Sequence, residues 1–427
     1  MLMEVCCKKR THQPLQYIGI SIGKVYLREP MQKPTFYPTR PLPYGRQHIT
    51  DADVAAVTAA LQSDYLTQGP TVDEFEKQFA AYVGATYAVA VSNGTAALHL
   101  CTLALDVQPG QRVITTPLTF AASANCVRYC GGEVHFADIN PTTGLIDLLK
   151  VRQLLEAHPK GHFTGLIPVD FAGLAVDLEA ARQLADEFGL WIIEDSCHAP
   201  GGFFLDSKGQ EQRCGNGNFA DLAIFSFHPV KHIATGEGGM ITTNDEQLFH
   251  HLLRLRTHGI TRDPADLQRE PDGGWYMEMQ ELGYNYRMPD LNCALGLSQL
   301  TRADAGLARR RELAAQYDAA FAQVPGVGVL APGRPGHAYH LYVIEIADRK
   351  GLYDFLKTRQ IFTQVHYIPV HRMPYYEGLG WRAGDFPLVE KYYAHCLSIP
   401  LFPTLTDEEQ DYVVACITEF VSASHAI

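Results

Sequence analysis

"YAVAVSNGTAALHLCTLAL", residues 87–105, decides how this chain folds. Tyr87 to Val91 form a short, continuously apolar run, as expected for a strand buried on both faces. Ser92-Asn93-Gly94-Thr95-Ala96 then reads as a turn, and the rest reads as a helix. The unit recurs. "RVITTP" (112–117) precedes the helix-like "FAASANCVRYC" (120–130). "EVHFADI" (133–139) precedes a helix around "LIDLLKVRQLLEAH" (145–158). "TGLIPVDF" (164–171) precedes "DLEAARQLADEFG" (177–189), and "LWIIEDS" (190–196) follows. Short buried strands alternating with helices of about 10–15 residues predict an α/β fold, a parallel sheet covered by helices on both faces.

The rhythm changes after "LAIFSF" (222–227). "GGMITTN" (238–244) reads as a strand, followed by a helix over 245–256 and a polar loop through "RDPADLQREPDGGW" (262–275). One long helical stretch is expected from Pro289 to about Val324. The Pro- and Gly-rich "VPGVGVLAPGRPGHA" (324–338) marks a boundary into a smaller α+β region. There "YHLYVIEI" (339–346) and "TQVHYIPV" (363–370) read as strands, while "KGLYDFLKTR" (350–359) and "DEEQDYVVACITEFV" (407–421) read as helices. The expected division is an N-terminal extension over 1–40, a large domain over 41–300, and a small domain with a linking helix over 301–427. Residues 1–35 show neither a clear period nor a signal peptide's apolar core, and read as a poorly ordered extension. Met31 is an alternative start.

The chain has 427 residues and a net charge of −12, with 46% hydrophobic and 19% charged residues. That is an ordinary globular balance. The acidic balance argues against nucleic acid or a membrane surface as the main partner. The ten cysteines form no CxxC pair and no Cys/His metal spacing, so they read as reduced thiols in a cytoplasmic protein. No run of about 18 apolar residues suggests a membrane helix.

Three stretches carry chemistry, each with a plainer alternative. Ser92 to Ala96 opens a helix, where free amides and the helix dipole can hold an anion; equally, it is an N-cap turn. "WIIEDSCHA" places Glu194 and Asp195 at the end of a buried strand, where ligands of parallel sheets gather. Asp195 could hold a metal, a ribose hydroxyl or a protonated ring nitrogen, or simply cap a loop. In "SFHPVKHIATGEGG" (226–239), Ser226 ends another buried strand, Lys231 follows five residues on, and the glycines permit close backbone approach. Lys231 could be a solvated charge, a phosphate binder or a covalent catalyst.

Together these are the parts of a pyridoxal 5'-phosphate (PLP) site: a phosphate cradle, a carboxylate for the ring nitrogen, and a lysine to bond the aldehyde. The set requires no metal. "SNGTAALHL", "TPLTFAASAN", "EDSCHAPGG", "FSFHPVKHIATGEGGMITTND", "LGYNYRMPDLNCALGLSQL" and "QVHYIPVH" lie in the order and spacing of one family. Over about residues 42–420 the chain resembles the DegT-like sugar aminotransferases. That resemblance implies the PLP-dependent fold type I, the aspartate-aminotransferase fold, with a mostly parallel seven-stranded sheet and a small α+β domain.

By that resemblance Lys231 is the Schiff-base lysine and the general acid/base. Asp195 pairs with the pyridine nitrogen, His198 lies near the ring and its 3′-oxygen, and Phe120 stacks on the ring. Gly94, Thr95 and Ser226 hold the phosphate. Asn285 reaches the neighbouring subunit's cofactor, which implies a homodimer with shared sites. Tyr284, Arg287, His366 and Tyr367 are placed near the substrate. Ala175 and Leu178 stand where relatives usually carry Pro and Met, a change that conserves apolar volume. A related group of sugar 3-dehydrases carries His at the position of Lys231, so the lysine argues for transamination.

"SFHPVKHI", "TGLID" and "DFAGL" look closest to the pseudaminic-acid branch of the family. This implies L-glutamate as amino donor and a UDP-linked 4-keto-6-deoxy-N-acetylhexosamine as acceptor, for surface-glycan or flagellin decoration. Rival readings are a sister enzyme acting on a dTDP-sugar or UDP-4-keto-arabinose, and a non-catalytic PLP-binding protein. An oxidoreductase is disfavoured because no GxGxxG follows the first strand.

Overall fold

The computed structural model describes residues 36–424; the expected extension up to residue 35, with the alternative start at Met31, lies outside the described residues. Seven of the apolar runs form one sheet: β1 (Tyr87–Val91), β2 (Arg112–Thr115), β3 (Glu133–Phe136), β4 (Gly165–Ile167), β5 (Trp191–Asp195), β6 (Leu222–Ser226) and β7 (Gly239–Thr243). Their spatial order is β1-β7-β6-β5-β4-β2-β3. Pairing is parallel from β3 through β2, β4 and β5 to β6. β7 runs antiparallel to both β1 and β6. The helices Gly94–Ala104, Ala122–Tyr129, Leu148–Glu156 and Leu178–Phe188 fall where the alternation places them.

The inner strands are largely apolar because both faces are covered; the edge strand β3, Glu-Val-His-Phe, alternates instead. On one face Val89, Val91, Ile193, Ile224 and Ile241 pack with Leu98 and Leu100 of the helix Gly94–Ala104. On the other, Ala88, Ala90, Phe225 and Met240 meet Phe75 and Phe79. Those phenylalanines belong to the helix Pro70–Val83, which starts on a proline at its first turn and stops at left-handed Gly84. The Phe79 ring lies 4.9 Å from Phe225, edge to face.

Two expectations fail beyond the sheet. The long helix expected after Pro289 is broken into Asp290–Leu300 and Ala303–Phe321. The break falls at Arg302, whose φ is −122°. Its guanidinium bonds the Asp53 carboxylate and the His48 carbonyl, so a distant contact sets the bend. The expected strand over 363–370 is mostly loop: Ile361–Phe362 is a two-residue strand, and Gln364 alone bridges to Ser398. The other expected elements form. Tyr342–Glu345 pairs antiparallel with Gly328–Val329 and with Cys396–Ile399. The helices Arg349–Thr358 and Asp407–Ser424 accompany that small sheet. Its core gathers Leu313, Tyr317, Tyr342, Ile344, Phe402 and Ile417. All eight described cysteines are free thiols. Among the described residues no helix is long and apolar enough to cross a membrane.

Candidate active site

Parallel pairing brings the C-terminal ends of β2, β4, β5 and β6 to one edge of the sheet, and a cavity of about 1030 Å³ opens there. Gly94, Thr95, Phe120, Asp195, His198, Ser226, Lys231, His366 and Tyr367 all line it. These are nine of the positions singled out from the sequence. Tyr284, Asn285 and Arg287 do not line it. Asn285 is exposed, Tyr284 stacks on Tyr286 with ring centroids 5.1 Å apart, and Arg287 bridges backbone to Val91 at the end of β1.

The turn after β1 presents a helix N-terminus to the cavity. The Asn93 side chain caps it, accepting from the Ala96 amide at 2.8 Å. Glycine is needed on both sides of this approach. A Cβ on Gly94 would meet the Ser226 Cβ at 3.0 Å, and one on Gly239 would lie 2.7 Å from the Asn93 carbonyl carbon. Ser226, Gly94 and Gly239 therefore form one close-packed junction, with Thr95 beside it. Free amides at a helix start suit a phosphate.

Asp195 ends β5 and is 6% exposed. The Ser123 hydroxyl donates to its Oδ2 at 2.6 Å, and the Cys197 amide donates to its Oδ1 at 3.2 Å. The Thr119 hydroxyl bonds that of Ser123 at 2.7 Å. Ser123 and Thr119 lie in "TPLTFAASAN", and neither is among the site residues to which the sequence points. Their spacing of four at the start of a helix is the one signal that could have paired them.

Behind Asp195 lies a second acid pair. The ligand atoms of Asp170, Glu194 and Cys214 lie within 4.8 Å of one another, all buried. Burial raises Asp170 to about 6, and burial together with the neighbouring Asp170 carboxylate raises Glu194 well above its usual range. Asp170 accepts from the Val176 amide and the Ser196 hydroxyl, while Glu194 accepts from the Gly215 amide. Two like charges at this depth are too costly, so the pair holds a proton at neutral pH.

Lys231 sits on the turn that its amide closes on the His228 carbonyl at 2.8 Å. The loop returns to the sheet through Phe227 donating to Gly238 and Thr235 donating to Phe227. Asn292 pins it from the helix Asp290–Leu300, donating to the carbonyls of Thr235 and Glu237 at 2.7 and 3.1 Å. Part of Lys231 remains open to the cavity, but its ammonium is enclosed. Burial lowers its pKa from the ordinary lysine range, against the pull of Cys197 and Asp195. A lysine so shifted is readied as a nucleophile and base.

His198 faces the same space. The Ala172 amide donates to its Nδ1 at 3.3 Å, so in the neutral ring Nε2 carries the hydrogen and donates to the Tyr367 hydroxyl at 3.1 Å. The "DFAGL" turn makes this possible. Ala172 and Gly173 both have positive φ, and a Cβ on Gly173 would meet the His198 carbonyl oxygen at 2.8 Å. His340, which sequence reasoning passed over, packs on His198 at 4.4 Å. His366 is tied to the Ser398 hydroxyl at 2.8 Å, and its carbonyl accepts from Tyr392. Burial holds His198 and His340 neutral, and lowers His366 to about 3. Phe120 stands 62% exposed at the cavity, which an aromatic ring can cover.

The residues fit pyridoxal phosphate. The glycine-packed helix start can take the phosphate, Asp195 can face a ring nitrogen, Phe120 offers a stacking face, and Lys231 offers an enclosed amine.

Similarity to known proteins agrees. The spore coat polysaccharide biosynthesis protein SpsC of Bacillus subtilis (strain 168) is 40% identical over 394 residues, covering 90% of this chain and 98% of that protein. The UDP-4-amino-4,6-dideoxy-N-acetyl-beta-L-altrosamine transaminase of Campylobacter jejuni is 35% identical over 382 residues, 87% of this chain and 95% of that protein. Among solved structures, Helicobacter pylori PseC, an aminotransferase involved in the biosynthesis of pseudoaminic acid, superposes with a TM-score of 0.81. It is 28% identical and covers 90% of this chain and 100% of its own. Residues 47–418 match the DegT/DnrJ/EryC1/StrS aminotransferase family, and the chain is a PLP-dependent aminotransferase belonging to it.

Proposed function

We propose that the chain transfers the amino group of L-glutamate to C4 of a UDP-linked 4-keto-6-deoxy-N-acetylhexosamine, giving UDP-4-amino-4,6-dideoxy-N-acetyl-beta-L-altrosamine for pseudaminic acid. The observation that carries the chemistry is the enclosed Lys231 amine sharing one cavity with the anchored carboxylate of Asp195. The identity to the Campylobacter transaminase supports this substrate.

When bound, the cofactor supplies the electron sink that lets an amino group pass between donor and acceptor. The chain's own residues do the rest. Lys231 Nζ removes the proton from the donor's α-carbon and later delivers one at C4 of the sugar. Its enclosed position keeps a neutral, basic form accessible near working pH. Asp195, held by Ser123 and the Cys197 amide, keeps the ring nitrogen protonated. His198 and Tyr367 supply a fixed, uncharged hydrogen-bonding edge. Positioning of this kind can supply roughly 7–11 kcal/mol of a barrier. We also propose that the active unit is a homodimer. Asn285 is exposed and lies outside its own chain's cavity, a position open to a partner's site. The product would enter a surface glycan.

A second reading has its own support. The 40% identity to a protein of spore coat polysaccharide biosynthesis, above the 35% to the Campylobacter transaminase, supports a different sugar acceptor. Incubating the purified protein with PLP, L-glutamate and the UDP-4-keto sugar, then reading the product by NMR, tests the first. An amino sugar formed only from a dTDP- or UDP-pentose-linked ketone would replace it with the second.

A further inference from the structure

A separate cleft of about 240 Å³ lies against Lys231. Arg46, Lys231, His232, Arg302, Arg309 and Arg310 line it, and among the described residues no carboxylate does. Arg302 pairs with Asp53, and Arg309 with Glu312 and Asp407, but none of these acids reaches the cleft lining. Arg46 is exposed and has no ion-pair partner among the described residues.

Arg310 is the unusual member. It is 1% exposed, and its Nη1 donates to the carbonyl oxygens of Tyr339, His340 and Leu401 at 3.2, 3.4 and 2.9 Å. Among the described residues its Nε has no acceptor. No carboxylate among the described residues offsets its charge; burial acts on it, lowering its pKa to about 10, so it stays protonated. Buried guanidinium groups ordinarily sit against an acid. Carbonyl dipoles satisfy N–H groups, yet they leave the net charge uncompensated. His232 feels the same excess: it is kept neutral by burial, with Arg310 and Lys231 both opposing its protonation. The large cavity, by contrast, has no arginine among the described residues that line it.

We propose that this cleft binds a small oxygen anion, a carboxylate or an inorganic oxyanion, between Arg46 and Arg310 at the flank of Lys231. The carboxylate of an amino-acid donor and free inorganic phosphate share this chemistry. The inference does not depend on which sugar is aminated.

The test uses the full-length holoenzyme, so that the cofactor phosphate already fills its own cradle. Melting temperature is followed against inorganic phosphate in one arm and glutarate in the other; glutarate has no amino group to react. Sodium chloride at matched ionic strength is the reference. A saturable rise of about 1–3 °C is expected in at least one arm. Arg46→Ala should weaken the apparent affinity at least about tenfold. Arg310→Lys, which keeps a charge but loses Nε, should weaken it too, and Arg46→Ala stands alone if that protein fails to fold. A response to phosphate alone supports the inorganic source, and a response to glutarate supports a donor carboxylate. A rise that is linear and equal to that in chloride overturns the proposal. So does a saturable rise that Arg46→Ala leaves unchanged.

Discussion

Lys231 and Ser123 make separable contributions at the scale of single side chains. Lys231→Ala removes the amine proposed both to bond the cofactor and to act as the base. The purified variant should lose the visible absorbance band of bound cofactor, and its turnover should fall by at least about 10²–10⁴-fold. An unchanged spectrum with full activity would remove Lys231 from the mechanism. Ser123→Ala acts through Asp195, by deleting a 2.6 Å bond to its Oδ2. Hydrogen bonds to charged groups contribute about 1.5–3 kcal/mol, so kcat should fall roughly ten- to a hundredfold. KM for the sugar should hold steady, since Ser123 acts on the acid and not on the substrate. A rise in KM at constant kcat would instead place Ser123 against the sugar.

At the scale of elements, the junction of β1, β6 and β7 is the proposed cradle of the cofactor phosphate. Gly239→Ala would put a methyl 2.7 Å from the Asn93 carbonyl carbon, which is backbone and cannot swing aside. The helix start must move. Overpacking of this kind costs about 1–3 kcal/mol, and cofactor retention in equilibrium dialysis should weaken with it. Retention equal to wild type would mean that the phosphate is held elsewhere. The strands inside the sheet were legible in the sequence because burial on both faces leaves little room for polar alternation, and the edge strand Glu133–Phe136 was legible by its alternation and its place in the rhythm. The break at Arg302 was not. "SQLTRADAG" carries no proline and only a distant glycine, and the bend follows from a guanidinium reaching Asp53, far away along the chain. "TQVHYIPV" misled for the converse reason. Its local pattern suits a strand, yet His366 is tied to Ser398 and Tyr367 to His198, so side-chain contacts at the cavity override the ladder.

Buried histidines dominate the acid response of the whole molecule. His337 and His366 are lowered to about 3, and His198, His232 and His340 lie well below their usual range, all chiefly by burial. Between those values and about 6.5 the unfolded chain binds more protons than the folded one, so stability rises with pH across that window. Asp170, raised to about 6, and Glu194 act in the opposite sense, because there the folded state holds the extra proton. Five histidines outweigh one shared acid pair. The melting temperature should therefore climb from pH 4 to 6.5 and climb no further above it, where the histidines are neutral in both states and the proton held by Glu194 acts the other way. A midpoint that falls as pH rises through this range would show that the acid pair dominates.

The sequence alone determined the α/β rhythm, the sheet's strands, and nine residues of the cavity. The rhythm and the strands rest on local signals, such as buried apolar runs; of the cavity residues, Asp195, Ser226, Lys231 and the Gly94–Thr95 turn follow from strand ends and helix starts, while Phe120, His198, His366 and Tyr367 follow from the family resemblance. Only the tertiary structure decided the anchoring of Asp195 by Ser123, the His198–Tyr367–His340 contacts, and the uncompensated charge of Arg310. Those depend on which distant segments meet and on what burial does to charge once they do.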